Sequence, residues 1–310
     1  MSVQNLGYVV VSSTDLAKWE DYGTNVCGFM KSTTMPDNGS VYLKMDDARP
    51  FRYQIVEGPA DFLLLAGFDC GNETNFNAVV EVLNAAGANV EVITDADTLA
   101  ARAVKALVRS ADPSGNQLEF YWSDIEDSVG FESPLDVEKF IVTADDGSDM
   151  GLGHVVFHAP TDFEGCHAFY QKLGFKDTDI TDMGGDAGMG KIYFMHCNPR
   201  HHSLALWSWG GPTAEVPHPN PESKAPGCVH LMAEVGSIRE VGSCLDRVNE
   251  RQIMVVSSLG EHINDEMKSF YMLTPGNFAL EFGYEGMQVG EDWETTHNTE
   301  ASIWGHKWQG

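Results

Sequence analysis

The chain contains two copies of one pattern, and this duplication limits its fold more than any other feature. The segment LGYVVV (6–11) matches LGHVVF (152–157). The offset between them is 146 residues (152 minus 6), and the same offset pairs Gly28 with Gly174 without a gap. Because 310 residues suffice for two domains of roughly 150 residues each, we predict that the whole fold is duplicated.

A second matched pair extends the duplication to the end of each copy. The segment DPSGNQLEF (112–120) aligns with TPGNFALEF (274–282), so Glu119 corresponds to Glu281. Between the copies lies an acidic stretch, 122–150, that contains SPLD and ADDGSD. Such a composition is typical of a linker with an extended connection.

Each copy divides again into two smaller units. An apolar strand, an amphipathic helix and several short strands follow one another four times in the hydrophobic pattern. The predicted helices occupy residues 15–27, 76–83, 166–173 and 238–248. This order predicts an α+β fold of four βαβββ units, two in an N-terminal domain (1–135) and two in a C-terminal domain (136–310).

The histidines are confined to the second copy. All eleven lie at or after position 154. Tyr8 occupies the position equivalent to His154, and a looser alignment of AGFDC with MAEV places Leu65 opposite His230. A duplicated protein with this asymmetry is expected to keep its functional site in one copy and to use the other as a scaffold.

The candidate metal ligands are His154, His230 and Glu281, each on a predicted strand. Two imidazoles and one carboxylate leave open positions on a metal, which is the arrangement of non-haem iron(II) oxygenases. A single histidine on a strand is more often a structural residue than a ligand. The exchange of these histidines for Tyr8 and Leu65 in the first copy favours the ligand interpretation.

Charge and composition exclude several classes of partner. The net charge of -27, with only 19 Lys and Arg, is unsuited to nucleic acid or an anionic membrane surface. No apolar run approaches the roughly 20 residues of a membrane span. The six cysteines show no CxxC spacing and the N-terminal segment lacks export features, so a cytoplasmic location is expected.

The motifs resemble those of the type I extradiol dioxygenases of the vicinal oxygen chelate superfamily, and the match covers nearly the whole chain. The segments that carry the resemblance are LGYVVV, MGLGHVVF, HCNPRHHSLAL, CVHLMAEV, GEHINDEMKSFYMLTPGNFALEFG and SIWGHKW. The resemblance implies the vicinal oxygen chelate fold and cleavage of a 3-substituted catechol by O2. A dihydroxybiphenyl-like or steroid-catechol-like diol is preferred as the substrate.

The resemblance also implies roles for individual residues. Iron(II), with manganese(II) as the alternative metal, is bound by His154, His230 and Glu281. The implied catalytic residues are His202, His262 and Tyr271, and the implied substrate-binding residues are Asn264, Asp265, Val156, Met183 and Phe194. In this scheme His202 is the acid/base group, whereas Asp265 orients His262. The other histidines are assigned to structural or surface positions, namely His158, His167, His196, His218, His297 and His306.

Two other functions stay open at this point. A glyoxalase-like or epimerase-like metalloenzyme would use the same βαβββ units, although it would lack the HHSLA and HINDEMKSFY segments. A metal-free binding protein would have degenerate ligand positions in both copies. The partners expected for a dioxygenase are a catechol and O2, in a homo-oligomer that the family suggests is an octamer.

Overall fold

The structure, a computed structural model, describes residues 3–159, 161–184, 190–208 and 227–308. Its strands form two sheets. The strands of the first sheet are β1 (Asn5–Ser13), β2 (Met30–Lys31), β3 (Val41–Lys44), β4 (Tyr53–Glu57), β5 (Phe62–Asp69), β6 (Glu91–Ile93), β7 (Ala106–Ala111) and β8 (Gln117–Trp122). Those of the second are β9 (Val155–His158), β10 (Lys176–Asp182), β11 (Lys191–His196), β12 (Leu204–Trp207), β13 (Cys228–Val235), β14 (Val255–His262), β15 (Lys268–Leu273), β16 (Ala279–Tyr284), β17 (Thr296–Asn298) and β18 (Ser302–Trp304).

The helices lie where the four units require them. They are α1 (Leu16–Tyr22), α2 (Glu73–Ala85), α3 (Ala96–Arg102), α4 (Phe163–Lys172) and α5 (Ile238–Glu250). A strand, a helix and three strands follow one another four times, which confirms the predicted α+β fold of βαβββ units. Two additions were not predicted, namely α3 inside the second unit and the strands β17 and β18 after the fourth.

The first helix shows why the local prediction succeeded. The Asp15 side chain accepts a hydrogen bond from the Lys18 amide and caps the helix, and Trp19 and Tyr22 are buried on its inner face. A π-helical turn, Gly23–Cys27, continues it. Gly28 then ends the helix with φ at 83°, a left-handed conformation that favours glycine.

Both sheets place the first strands of their two units side by side at the centre. The order is β2-β3-β4-β1-β5-β8-β7-β6 in the first sheet and β17-β10-β11-β12-β9-β13-β16-β15-β14-β18 in the second. The pairs β1 with β5 and β9 with β13 are antiparallel, while β5 with β8 and β13 with β16 are parallel. Equivalent strands therefore have equivalent neighbours, as a duplicated fold requires.

The register also confirms the looser part of the sequence alignment. Glu119 pairs with Gly67 in the first sheet, and Glu281 pairs with Met232 in the second. Position 65 lies two residues before Gly67, as position 230 does before Met232. Leu65 is therefore the structural counterpart of His230.

The two halves share a continuous hydrophobic core. Buried residues of both sheets belong to one cluster, and the segment between the sheets contributes to it. The Phe140 ring lies 5.2 Å from Phe29 and 6.3 Å from Phe282, measured between ring centroids. The expected linker is thus partly a packed segment, and the boundary between residues 135 and 136 stays a prediction. Within the described part of the chain, none of the helices combines the length and the apolar character that crossing a membrane requires.

Candidate active site

Three polar side chains converge at the centre of the second sheet. His154 directly precedes β9, His230 lies on β13 and Glu281 lies on β16, and β13 runs between the other two strands. The Nε2 atoms of the two histidines are 3.1 Å apart. The Oε2 atom of Glu281 lies 3.2 Å from His154 Nε2 and 3.4 Å from His230 Nε2.

This triangle has the dimensions of a metal-binding face. Three ligands on one face of an octahedron, with bonds of about 2.1 Å, lie about 3 Å from one another. A proton on one imidazole nitrogen satisfies only some of the contacts, whereas a cation at the centre interacts favourably with all three atoms. His154, His230 and Glu281 therefore fit a divalent metal ion.

The protonation states of His154 and Glu281 also favour metal binding. Burial lowers the pKa of His154 to about 4, so this imidazole is neutral at pH 7. Burial alone raises the pKa of Glu281, but hydrogen bonds from His154, His230 and His262 outweigh it and hold the pKa well below its usual value. A neutral imidazole and an ionised carboxylate are the forms that bind metals.

A cavity of about 500 Å³ lies beside the triangle. One part of its wall is apolar and includes Val156, Met183, Ile192, Phe194 and Trp207. Another part is polar and includes His202, His262, Asn264, Asp265 and Tyr271. The structure thus brings the implied catalytic and substrate-binding residues together around one space.

The polar wall contains a hydrogen-bonded pair of side chains. The hydroxyl of Tyr271 lies 2.7 Å from Nε2 of His262. The other ring nitrogen of His262, Nδ1, donates to the Ala301 carbonyl at 3.0 Å. The expectation that Asp265 orients His262 is therefore wrong, because both ring nitrogens have other partners. The Asp265 carboxylate instead lies 3.9 Å from Nδ1 of His202.

His202 packs directly on a candidate ligand. Its ring stacks on His154 with 3.9 Å between the centroids, and its Nδ1 lies 3.0 Å from Nδ1 of His201. This pairing leaves Nε2 of His202 as the nitrogen available to a bound molecule. Burial lowers the pKa of His202 well below its usual value, so the ring is neutral at pH 7.

Comparison with known proteins identifies the family to which this chain belongs. The family described as Dihydroxybiphenyl dioxygenase BphC D1 matches residues 6–58, and the Glyoxalase/Bleomycin resistance protein/Dioxygenase superfamily matches residues 151–282. An iron-dependent extradiol dioxygenase of Rhodococcus jostii is 37% identical, and the alignment covers 99% of this chain and 97% of that protein. The chain belongs to the extradiol dioxygenases.

Other relatives of this dioxygenase are also named as dioxygenases. The 3-methylcatechol 2,3-dioxygenase of Pseudomonas putida is 34% identical, with 100% of this chain and 99% of that one aligned. The biphenyl-2,3-diol 1,2-dioxygenase of Paraburkholderia xenovorans is also 34% identical, over 99% and 96% of the two chains. The crystal structure of BphC, a halotolerant catechol dioxygenase, superposes with a TM-score of 0.84 at 27% identity, over 99% of this chain and 95% of that one.

In the first half of the dioxygenase, the position equivalent to Glu281 has arginine and tyrosine partners. Glu119, the counterpart of Glu281, accepts hydrogen bonds from Tyr8 at 2.7 Å and from Nε of Arg102 and of Arg109 at 2.8 Å each. Burial raises the pKa of Glu119, but these partners, Arg102 first, more than offset it and lower the pKa. The buried carboxylate is thus balanced by guanidinium groups.

One histidine of the cavity wall had no predicted role in the site. His306, expected at a structural or surface position, is buried and lines the cavity. Its ring packs on His262 with 4.0 Å between the centroids. The signal was present, because His306 lies in SIWGHKW, a segment that carries the family resemblance without an assigned role. Among the other histidines assigned to structural or surface positions, His218 lies outside the described residues.

Proposed function

We propose that this dioxygenase opens the ring of a 3-substituted catechol beside its hydroxyl groups, in the breakdown of aromatic compounds, at a metal bound by His154, His230 and Glu281. One observation carries the proposal, namely the triangle of two Nε2 atoms and one carboxylate oxygen beside a cavity of about 500 Å³. The metal is iron(II), as in the iron-dependent relative. A manganese(II)-bound glyoxalase of the same fold makes manganese(II) the alternative.

The cavity supports a substituted ring as the substrate. Its volume lies within the usual range for small-molecule sites, and its apolar side chains offer a surface for an aromatic group. Two relatives are named for 3-methylcatechol and for biphenyl-2,3-diol, which are both catechols with a group beside one hydroxyl. Val156, Met183 and Phe194 would contact the ring or its substituent.

When bound, iron(II) supplies the Lewis acidity and the electron transfer that the reaction of a catechol with O2 needs. The chain's own residues bind the diol and move protons. Tyr271 and His262 would hydrogen-bond the substrate oxygens, since their hydroxyl and Nε2 lie together on the cavity wall. Asn264 would contribute a further polar contact from the same wall.

His202 would be the acid/base residue. Its ring is neutral at pH 7, because burial lowers its pKa, and its Nε2 has a lone pair that can accept a proton from the diol. The protonated ring can then return that proton as the carbon–carbon bond breaks. Asp265, 3.9 Å from Nδ1 of His202, would stabilise the positive charge that forms on the ring.

Anaerobic reconstitution with Fe(II), followed by addition of O2 and a panel of 3-substituted catechols, tests this proposal. A ring opened beside the hydroxyls gives a yellow product, so absorbance reports the reaction directly. We expect yellow product with several members of the panel and with none in the metal-free chain. A glyoxalase-like enzyme would bind metal without consuming catechol, and a metal-free binding protein would bind the ligand without either metal or O2. Each of these outcomes would overturn the proposal.

We also propose that the enzyme is a cytoplasmic homo-oligomer larger than a dimer, with an octamer as the expected state. Support for this proposal comes from the family resemblance of the sequence. Sedimentation velocity of the iron-loaded enzyme should show one species heavier than twice the 34.0 kDa chain. A single monomer species at micromolar concentration would contradict it.

A further inference from the structure

The C-terminal segment 295–308, here called the strap, joins the two edges of the second sheet. Its first strand, β17, extends the sheet beside β10, and its second strand, β18, extends the opposite edge beside β14. The connection between these two strands, 299–301, lines the cavity together with Ser302, the first residue of β18. The strap is therefore a wall of the proposed active site.

The strap is held firmly at both edges. At the β10 edge, the buried carboxylate of Asp179 accepts hydrogen bonds from the Thr296 hydroxyl and the Asn298 amide, each at 2.6 Å. At the β14 edge, the Trp304 indole donates to the Glu261 carboxylate at 2.6 Å. Two fixed ends define where the residues between them lie.

One backbone group of the strap reaches a proposed catalytic residue. The Ala301 carbonyl accepts from Nδ1 of His262 at 3.0 Å. A carbonyl oxygen only accepts, so Nδ1 of His262 must carry a hydrogen. The hydrogen bond at one ring nitrogen fixes the orientation of the other, and Nε2 of His262 consequently faces the Tyr271 hydroxyl.

A side chain of the strap reaches a proposed metal ligand through one intermediate. Nε2 of His306 donates to the Ser269 carbonyl at 3.1 Å, and Nδ1 accepts from the Ser302 hydroxyl at 2.8 Å. The Ser269 hydroxyl donates to Oε1 of Glu281 at 2.5 Å. This hydrogen bond turns Glu281 so that its other oxygen, Oε2, faces the two ligand histidines.

We propose that the strap completes the active site, with the Ala301 carbonyl and the His306 ring as positioning groups for His262 and, through Ser269, for Glu281. His306 also packs its ring face against His262, so this one residue supports both His262 and Glu281. Neither group is a catalytic residue, because each acts through another side chain. This inference rests on the proposed function, since it assigns roles toward the metal and the substrate of that site.

The test compares His306→Phe with His306→Gln. Phenylalanine keeps a ring against His262 but removes both hydrogen bonds, whereas the glutamine amide can still donate to the Ser269 carbonyl. Loss of a group that orients a metal ligand typically weakens metal affinity or activity by about 10- to 100-fold. We expect His306→Phe to raise the Fe(II) dissociation constant by about that factor and to lower kcat, and we expect His306→Gln to recover most of the iron affinity.

Ser269→Ala tests the same path without changing the strap. It removes the hydroxyl that holds Glu281 and should also raise the Fe(II) dissociation constant by about 10- to 100-fold. Both substitutions break the same path of hydrogen bonds to Glu281. The Fe(II) dissociation constant of the double variant should therefore be no higher than the larger of the two single-variant values. The Ser269→Ala single variant tests the hydrogen bond to Glu281 even if His306→Phe fails to fold.

The matched control is His297→Phe, the same substitution at an exposed position of the strap. It should leave iron affinity and kcat at wild-type values. Wild-type iron affinity in Ser269→Ala, or equal losses in His306→Gln and His306→Phe, would overturn the positioning role. A wild-type enzyme that neither binds iron nor cleaves a catechol would instead overturn the proposed function, so the two failures are distinguishable.

Discussion

Replacing any one of His154, His230 or Glu281 with alanine is expected to abolish both iron binding and catechol cleavage. Each substitution leaves two protein ligands on a metal that already has open positions. It also breaks up a buried cluster whose members lie 3.1 to 3.4 Å apart. The measurement is iron per chain after anaerobic reconstitution and removal of excess metal, with activity assayed on the same sample.

The duplicated fold supplies a matched control at Glu119. The pair Glu281→Gln and Glu119→Gln makes one substitution at two equivalent positions. Glu281→Gln should lose iron, whereas Glu119→Gln should keep one iron per chain. Glu119→Gln should be less stable, because removing one partner of a buried ion pair destabilises by about 3–5 kcal/mol and Arg102 would lose its carboxylate. Full iron content in a variant of His154, His230 or Glu281 would remove that residue from the ligand set.

His202→Phe is expected to separate binding from chemistry. The side chain is not in the triangle, so iron content and catechol affinity should stay near wild-type values. Turnover should fall by about 10²–10⁴-fold, because phenylalanine can neither accept nor donate a proton. The substitution keeps a ring of similar shape against His154, with which His202 stacks at 3.9 Å.

Stopped-flow absorbance, after the anaerobic enzyme–catechol complex is mixed with O2, measures this effect, and iron is assayed in parallel. His201→Phe is the matched control, because it is the neighbouring histidine and does not line the cavity. It should reduce turnover less than His202→Phe does. Wild-type turnover in iron-replete His202→Phe would exclude His202 from the mechanism and make His201 the next candidate.

The sequence predicted the fold well because the patterns that indicate this fold either lie within one helix or strand or occur twice in the chain. The predicted bounds of the first helix, 15–27, agree with its cap at Asp15 and its end at Gly28, and both of these act within the helix itself. The match of Glu119 with Glu281 aligned the ends of the two copies. The strand register then confirmed the looser part of the alignment, which makes Leu65 equivalent to His230. Patterns within one strand or helix were therefore enough for the architecture.

The site was harder to predict because its hydrogen bonds join residues far apart in the sequence. The carbonyl that accepts the hydrogen bond from Nδ1 of His262 lies 39 residues later in the chain, and no local pattern predicts where that carbonyl is placed. The assignment of Asp265 to His262 failed for this reason. His306 was missed in the same way, since its burial depends on the strap being fixed at both edges.

The role of Arg102 was also invisible in the sequence. Its position at the end of α3, an unpredicted helix, brings its guanidinium to the carboxylate of Glu119. Only the structure shows that arginines balance the buried Glu119 carboxylate of the first copy. The absence of histidines from the first half predicted an inactive copy, and the arginines give the physical reason for its stability.

We propose that this chain inserts O2 into a catechol ring at a metal centre in its C-terminal half. The most direct measurement supplies isotopically labelled O2 to the Fe(II)-loaded enzyme with 3-methylcatechol and analyses the product by mass spectrometry. We expect a ring-opened product that carries both labelled oxygen atoms, formed with one O2 consumed per catechol. Unchanged 3-methylcatechol in the iron-replete enzyme, or an oxidised product with its ring intact and no label, would contradict it.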